Sequence, residues 1–492
     1  MPQEAYKLRT CYVNGAEHLQ NAWNVNFMYP GAPNQWSEGD WTAFLAELKA
    51  FGYNCFQIWI PPTLLVPGEK RENAAKLIKK LMEMTKSMDM MFNPFICVNS
   101  YGADWYFACP NDAGDKKIIM EFWDFYAGKL AGADIFTIFP GDIGGCNRNG
   151  CDHDTFLDLC GELISLIKGH SPSTAVEIGT WGSPFAGWGS DMRHVPNWDG
   201  SWNMITDPKL NSAESPAYIF NGSPKQVAEC MKSLISRLDA YPVDTIVSIN
   251  LGFNGISEPE GKLFSKLANP PFAYDGRPWA KKIAEKRRIT SWDYALAEGE
   301  LIAYPHWRLP NIKRKRLMER EAAPYFGAVN YTMTPKLNML SLYAVGQLMI
   351  NPERDPDEIA SEFTGLVFGD PKIGTLMEAF EIVGGWGHYP RRLYTKNELQ
   401  KDFTELAGRL EACKGAKCEL PLFPDSETHR RDLLWHAKNF LELTGKYPDR
   451  GAIKKKYWEK SLSIYDAIPM SIDERADSAA YGYSQIGSDI GE

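Results

Sequence analysis

The chain has 492 residues, with 62 acidic against 53 basic side chains and a formal charge of −9 at pH 7. That mild acidity excludes the basic footprint of a nucleic-acid binder, and 44% hydrophobic with 23% charged residues is the composition of an ordinary globular fold. No run approaches 18 apolar residues, so no membrane span is expected.

The opening Met1-Pro2-Gln3-Glu4-Ala5 lacks the basic and apolar regions of an export signal, which makes a cytoplasmic location the expectation for the chain as it stands. A single core rarely exceeds about 200 residues, with (β/α)8 barrels as the known exception. One barrel plus a smaller region is therefore the natural partition.

In chain order, short β-type runs alternate with amphipathic helical runs, the α/β signature. Strands are predicted over 22–29, 54–61, 92–100, 134–142, 174–181, 245–254, 289–295 and 327–332. Helices are predicted over 40–51, 74–88, 116–131, 155–168, 225–238, 278–288, 311–323 and 338–350. Ser37 suits the N-cap of the first helix, with Glu38 and Asp40 in its opening turn, and Gly52 and Gly132 stand where two helices must end.

Eight such units close into a (β/α)8 TIM barrel, expected over residues 1–350. An open doubly wound sheet is the alternative, but the first strand–helix junction has no G-x-G-x-x-G fingerprint. Beyond 350 the pattern is helical only, over 357–367, 373–383, 397–413, 428–444 and 453–466. Residues 351–492 are thus expected to form an α-helical region packed on the barrel. The run Lys313-Arg314-Lys315, followed by Glu319 and Glu321, reads as a solvated helix face. The ten cysteines show no disulfide-framework rhythm, although Cys146 and Cys151 lie close enough for a loop staple.

Active sites of such barrels lie at the C-terminal ends of the strands, and alternation sends every second side chain into the lumen. With bulky apolar residues assigned to the helix side, the inward set is Asn24 and Asn26, then Cys55, Gln57 and Trp59, then Cys97 and Asn99. The later strands add Ala175, Glu177, Gly179 and Trp181, then Ser248, Asn250 and Asn254, then Ser291 and Asp293, and finally Asn330 and Thr332. The parity of strand 134–142 is ambiguous, but Asp142 stands at its extreme end.

The carboxylates expected at the mouth are then Asp142, Glu177 and Asp293, with Glu298 and Glu300 just beyond. The stretch after the fifth strand carries Trp181, Phe185, Trp188, Trp198 and Trp202 among glycines, without helical period. Aromatics so placed form a platform on which sugar rings stack.

Glycosidic cleavage needs one carboxylic acid to protonate the leaving oxygen and a second carboxylate as nucleophile or base. Asp142 and Asp293 face each other across the predicted mouth, and Glu177 can replace either. Asn24, Asn26, Trp59, Asn99, Trp181, Trp188, Asn254, Trp292, Tyr294, Glu298, His306 and Asn330 are the candidate substrate-binding residues. Arg193, Arg287 and Arg308 are cations available to an acidic sugar.

The runs Phe139-Pro140-Gly141-Asp142-Ile143-Gly144-Gly145-Cys146, Trp292-Asp293-Tyr294-Ala295-Leu296-Ala297-Glu298-Gly299-Glu300, Tyr304-Pro305-His306 and Gln347-Leu348-Met349-Ile350-Asn351-Pro352 carry a likeness. With these patches the chain resembles bacterial glycoside hydrolase barrels of the α-glucuronidase and β-N-acetylhexosaminidase type, which bear a helical region after the barrel. The resemblance implies carboxylate chemistry at the end of the fourth strand. It departs where such hexosaminidases have an adjacent Asp-Glu pair, since Ile143 follows Asp142.

Two other classes remain open. A metal-dependent sugar isomerase or hydrolase would want histidines at strand ends, whereas only His194 and His306 of eight histidines lie near the mouth. A non-catalytic carbohydrate-binding barrel would keep the tryptophans and tolerate loss of the carboxylates. No metal or cofactor is expected, the partner is a carbohydrate, and a homo-oligomer is left open.

Overall fold

The computed structural model describes residues 6–13, 36–60, 67–101, 106–140, 149–180, 224–249, 276–293, 305, 307–332, 338–382, 394–447, 452–453 and 456. Its centre is a closed barrel of eight parallel strands. In chain order these are β1 (Leu8–Val13), β2 (Cys55–Ile60) and β3 (Met91–Cys97), followed by β6 (Ile135–Phe139) and β7 (Ala175–Ile178). β8 (Ile246–Ser248), β9 (Arg288–Asp293) and β10 (Gly327–Thr332) complete the ring, and β1 closes it by pairing with both β10 and β2. A small antiparallel hairpin, β4 (Ser100–Tyr101) with β5 (Tyr106–Phe107), projects after β3.

Seven of these strands fall within or beside the predicted runs. The first does not: Leu8–Val13 takes the place expected for 22–29, because pairing with both β2 and β10 selects it. Asn24 and Asn26 therefore belong to the connection between β1 and the first helix, outside the described residues.

The surrounding helices are α1 (Glu38–Phe51), α2 (Glu69–Ser87), α3 (Ala113–Lys129), α4 (His153–His170), α5 (Pro224–Arg237), α6 (Arg277–Ala284), α7 (Leu309–Ala322) and α8 (Met339–Ile350). Ser37 caps α1 in a reciprocal box with Asp40, and Gly52 ends the helix at φ 102°, where a side chain would be strained. Just beyond, Gly346 of α8 lies so close to α1 that an added Cβ would stand 2.1 Å from the Phe51 carbonyl oxygen.

The chain continues as α9 (Pro356–Phe368), α10 (Lys372–Leu376) with a 3-10 turn (Met377–Ile382), α11 (Lys396–Ala412) and α12 (Ser426–Lys446). These helices lean on the α1/α8 side of the barrel. Phe363 meets Phe51 at 6.0 Å and Tyr343 at 5.3 Å, and the Phe423 amide donates to buried Glu47 Oε2 of α1 (2.7 Å). Phe403 of α11 stacks on Phe440 of α12 at 4.7 Å. The helix expected over 453–466 lies almost wholly outside the described residues.

Residue Lys315 corrects the solvated-face expectation for the basic run. It is buried, because α7 is packed between the barrel and α9, leaving less of its surface to water than a free-standing helix would have.

One buried pair ties the start of β1 to the helix layer. Arg316 Nη1 donates to Glu319 Oε2 (2.7 Å), the Tyr6 hydroxyl donates to the same oxygen (2.6 Å), and Arg316 also reaches Ser291 Oγ (3.3 Å). Both ions are fully buried.

Candidate functional site

The lumen side chains form three levels, as strand alternation in a filled barrel requires. At the N-terminal end Leu8, Cys55, Ile135 and Ile246 make an apolar plug, with Met91 and Ala175 against it. The register places Gln57 opposite Asn93, Thr137 opposite Glu177 and Ser248 opposite Thr290, and these form the middle level. Above them, toward the strand ends, come Tyr12, Trp59, Phe95, Phe139 and Trp292.

The middle level is polar and fully buried, so its groups must satisfy one another. Trp292 Nε1 donates to Gln57 Oε1 (3.3 Å), and Gln57 Nε2 donates to Thr137 Oγ1 (2.9 Å). Thr137 Oγ1 lies 2.6 Å from Glu177 Oε2 and 3.0 Å from Asn93 Oδ1, and its one proton serves a single acceptor at a time. The Thr290 hydroxyl donates to Glu177 Oε1, and Asn93 Nδ2 approaches Oε2 at 3.4 Å. Burial pushes the Glu177 carboxyl above its ordinary range, outweighing the hydrogen bonds from Thr137, Thr290 and Asn93 that pull it down.

Glu177 was expected at the rim. It sits instead inside the barrel, two residues before Gly179, whose added Cβ would meet Phe139 Cδ2 at 2.9 Å. The side chain is thus roofed by the aromatic level.

That level is a packed aromatic layer on the side of the strand ends, its five rings nearly fully buried. Phe95 contacts Tyr12 at 4.9 Å and Phe139 at 4.4 Å, and stacks on Trp292 at 5.7 Å with planes 19° apart. Tyr12 meets Trp292 edge-on at 5.3 Å. Trp59 lies in register beside Phe95. Of the five, the expectations named Trp59 and Trp292. Tyr12 was missed with its strand, Phe95 as an apparent core residue, and Phe139 because its strand had ambiguous parity.

Two parities are corrected. In β9 the lumen receives Thr290 and Trp292, so Ser291 faces α7, where Arg316 reaches it. Asn330 of β10 also turns to the helix layer, donating to the Tyr53 hydroxyl (3.3 Å), which donates to the Leu342 carbonyl of α8 (3.0 Å). A buried amide there is retained because Tyr53 supplies a polar partner. Asp293 ends β9 in register with Asn330, and its side chain is outside the described residues.

Asn99, just past β3, is buried and holds the β4–β5 hairpin by donating to the Ala108 carbonyl (3.0 Å). Among the described residues its Oδ1 is a buried acceptor with no hydrogen-bond partner. Arg287 corrects another expectation. It precedes β9 at the opposite end of the barrel and donates to the carbonyls of Leu238 and Tyr241. Arg308 is buried at the start of α7.

Asp142, Asn254, Trp181, Trp188, Tyr294, Glu298 and His306 lie outside the described residues, as do Arg193 and His194. Chain connectivity nonetheless places Asp142 in the segment leaving β6, two residues beyond Pro140. Among the described residues, no group of three or more His, Cys, Asp or Glu is arranged to hold a metal ion.

No family model and no curated protein matches the sequence. Solved structures of glycoside hydrolases do resemble it. A GH138 enzyme targeting pectin rhamnogalacturonan II superposes with a TM-score of 0.52 at 10% identity, over 98% of this chain and 62% of its own. CpGH84D superposes with a TM-score of 0.50 at 10% identity, over 99% of this chain and 70% of its own. A Thermobaculum terrenum O-GlcNAc hydrolase mutant aligns at 11% identity over 98% and 94%, with a TM-score of 0.48. With about one residue in ten identical, what the GH138 enzyme and CpGH84D share with this chain is the barrel fold.

Proposed function

We propose that the chain is a glycoside hydrolase acting on an oligosaccharide or glycan, with Asp142 and Asp293 as its carboxylate pair. The observation that carries this reading is the aromatic layer of Tyr12, Trp59, Phe95, Phe139 and Trp292 at the C-terminal end of the barrel. A sugar presents apolar C–H faces to such a surface and hydroxyls to the walls above it. The open acceptor on Asn99 suits one of those hydroxyls. The glycoside hydrolase neighbours support the same class of reaction on the same scaffold.

In the proposed reaction one aspartate protonates the departing oxygen. The other attacks the anomeric carbon or activates water. Glu177 is assigned no part in it, because it is buried in the middle level and already shared among Thr137, Thr290 and Asn93. Asp142→Asn and Asp293→Asn should each lower turnover by about 10²–10⁴-fold, the usual worth of general acid–base groups, while sugar binding persists. Turnover within a few-fold of the parent in either variant would remove that residue from the mechanism.

A further inference from the structure

Among the described residues two cysteines of the mouth form a pair that the local spacing of Cys146 and Cys151 does not suggest. Cys109 Sγ lies 3.4 Å from Cys151 Sγ. Cys109 follows the β4–β5 hairpin and is buried, whereas Cys151 precedes α4 and is partly exposed. Neither sulfur is in a disulfide bond.

The contact is built by the backbone on either side. Asn149 and Gly150 adopt left-handed conformations in succession, at φ 51° and 71°, which turns the chain so that Cys151 faces Cys109. Asn111 Nδ2 donates to the Asn149 carbonyl (3.0 Å), and Asn149 Nδ2 reaches Cys109 Sγ (3.5 Å). The flanking chain is fixed as well. The Cys109 amide donates to Asp115 Oδ2 (2.8 Å), and Asp112 and Asp152 cap α3 and α4. Two thiols are thus held in van der Waals contact by two anchored helix starts, rather than meeting at mobile tips.

We propose that Cys109 and Cys151 are a dithiol–disulfide pair that staples the start of α3 to the start of α4 at the barrel mouth. A disulfide requires about 2.05 Å between sulfurs, so the pair must close by about 1.4 Å. The oxidant is a small-molecule disulfide. The Cys151 thiolate, the exposed member, attacks one of its sulfurs and expels one thiolate, leaving a mixed disulfide on Cys151. The Cys109 thiolate then attacks the Cys151 sulfur, forming the internal bond and expelling the second thiolate. The protein loses two electrons and two protons, and the small disulfide becomes two thiols. The ring so closed runs from Cys109 to Cys151 and takes in α3, β6 and, by chain connectivity, Asp142.

The test uses the full chain equilibrated across a series of oxidised and reduced glutathione ratios, quenched by alkylation, digested and mapped by mass spectrometry. The expected product is a Cys109–Cys151 linked peptide about 2 Da lighter than the sum of its parts, removed by dithiothreitol. Its formation should raise Tm by on the order of 5 °C, a gain absent from Cys151→Ser. Because Cys109 is buried, Cys109→Ser serves only as a second check, and the mapping of the parent chain stands without it. Both thiols remaining alkylatable throughout, a stable glutathione adduct on Cys151, or a Cys146–Cys151 link in place of the expected one would each overturn the proposal.

Discussion

Replacing Glu177 separates a buried structural carboxyl from a catalytic one. In Glu177→Gln the new Oε1 can accept from Thr290 and the new amide can donate to Thr137 Oγ1. Thr137 then turns its proton to Asn93 Oδ1, already 3.0 Å away. The 3.4 Å approach of Asn93 Nδ2 is lost, and it is the longest of the set.

The Gln variant should therefore stay within about 1 kcal/mol of the parent. Glu177→Ala leaves the buried Thr290 hydroxyl unpaired, at about 1–3 kcal/mol, and opens a cavity in a packed lumen, at about 2–4 kcal/mol. A total of about 3–7 kcal/mol should appear in urea denaturation. The pH dependence has a definite sign. The folded-state pKa of Glu177 is raised above its unfolded value, so the folded protein holds the proton more tightly. Its contribution is complete below the unfolded value of about 4.5 and is lost as pH rises through the folded value. Parent stability measured relative to Glu177→Gln should therefore fall from pH 4.5 upward. A Gln variant as damaged as the Ala variant, or a difference that grows with pH, would refute this reasoning.

Two further substitutions probe the frame of the site. Glu319→Gln removes the negative member of the fully buried ion pair with Arg316, and about 3–5 kcal/mol should be lost in denaturant melts; a loss under 1 kcal/mol would show that the pair contributes little to stability. Gly346→Ala drives a methyl toward the Phe51 carbonyl, a backbone atom that cannot swing aside, and should cost about 1–3 kcal/mol by thermal melting. An unchanged Tm would mean that α1 and α8 separate readily.

The barrel was legible because its strands are short, β-rich and punctuated by helices with recognisable caps, as Ser37, Gly52 and Gly132 illustrate. The first strand was not. The window holding Trp23, Asn24, Val25, Asn26 and Phe27 alternates as a half-buried strand should, whereas Leu8–Val13 owes its place to partners from both ends of the barrel sequence. Non-local pairing of that kind leaves no local mark.

Inward parity failed for a related reason. Polar residues were sent into the lumen and large apolar ones toward the helices, yet this lumen is apolar below, polar in the middle and aromatic above. Trp292 enters it because its indole finds Gln57, and Asn330 leaves it because its amide finds Tyr53. Glu177 was placed on the correct face but one level too high. Alternation along a strand gives the face without the depth.

The most direct test of the proposed activity is hydrolysis of a panel of aryl glycosides and oligosaccharides by the full chain in 18-oxygen water. A glycoside hydrolase that breaks the bond at the anomeric carbon should release sugar carrying the label there. Sugar binding with no release across the panel, or an isomerised sugar in place of a hydrolysed one, would contradict the account.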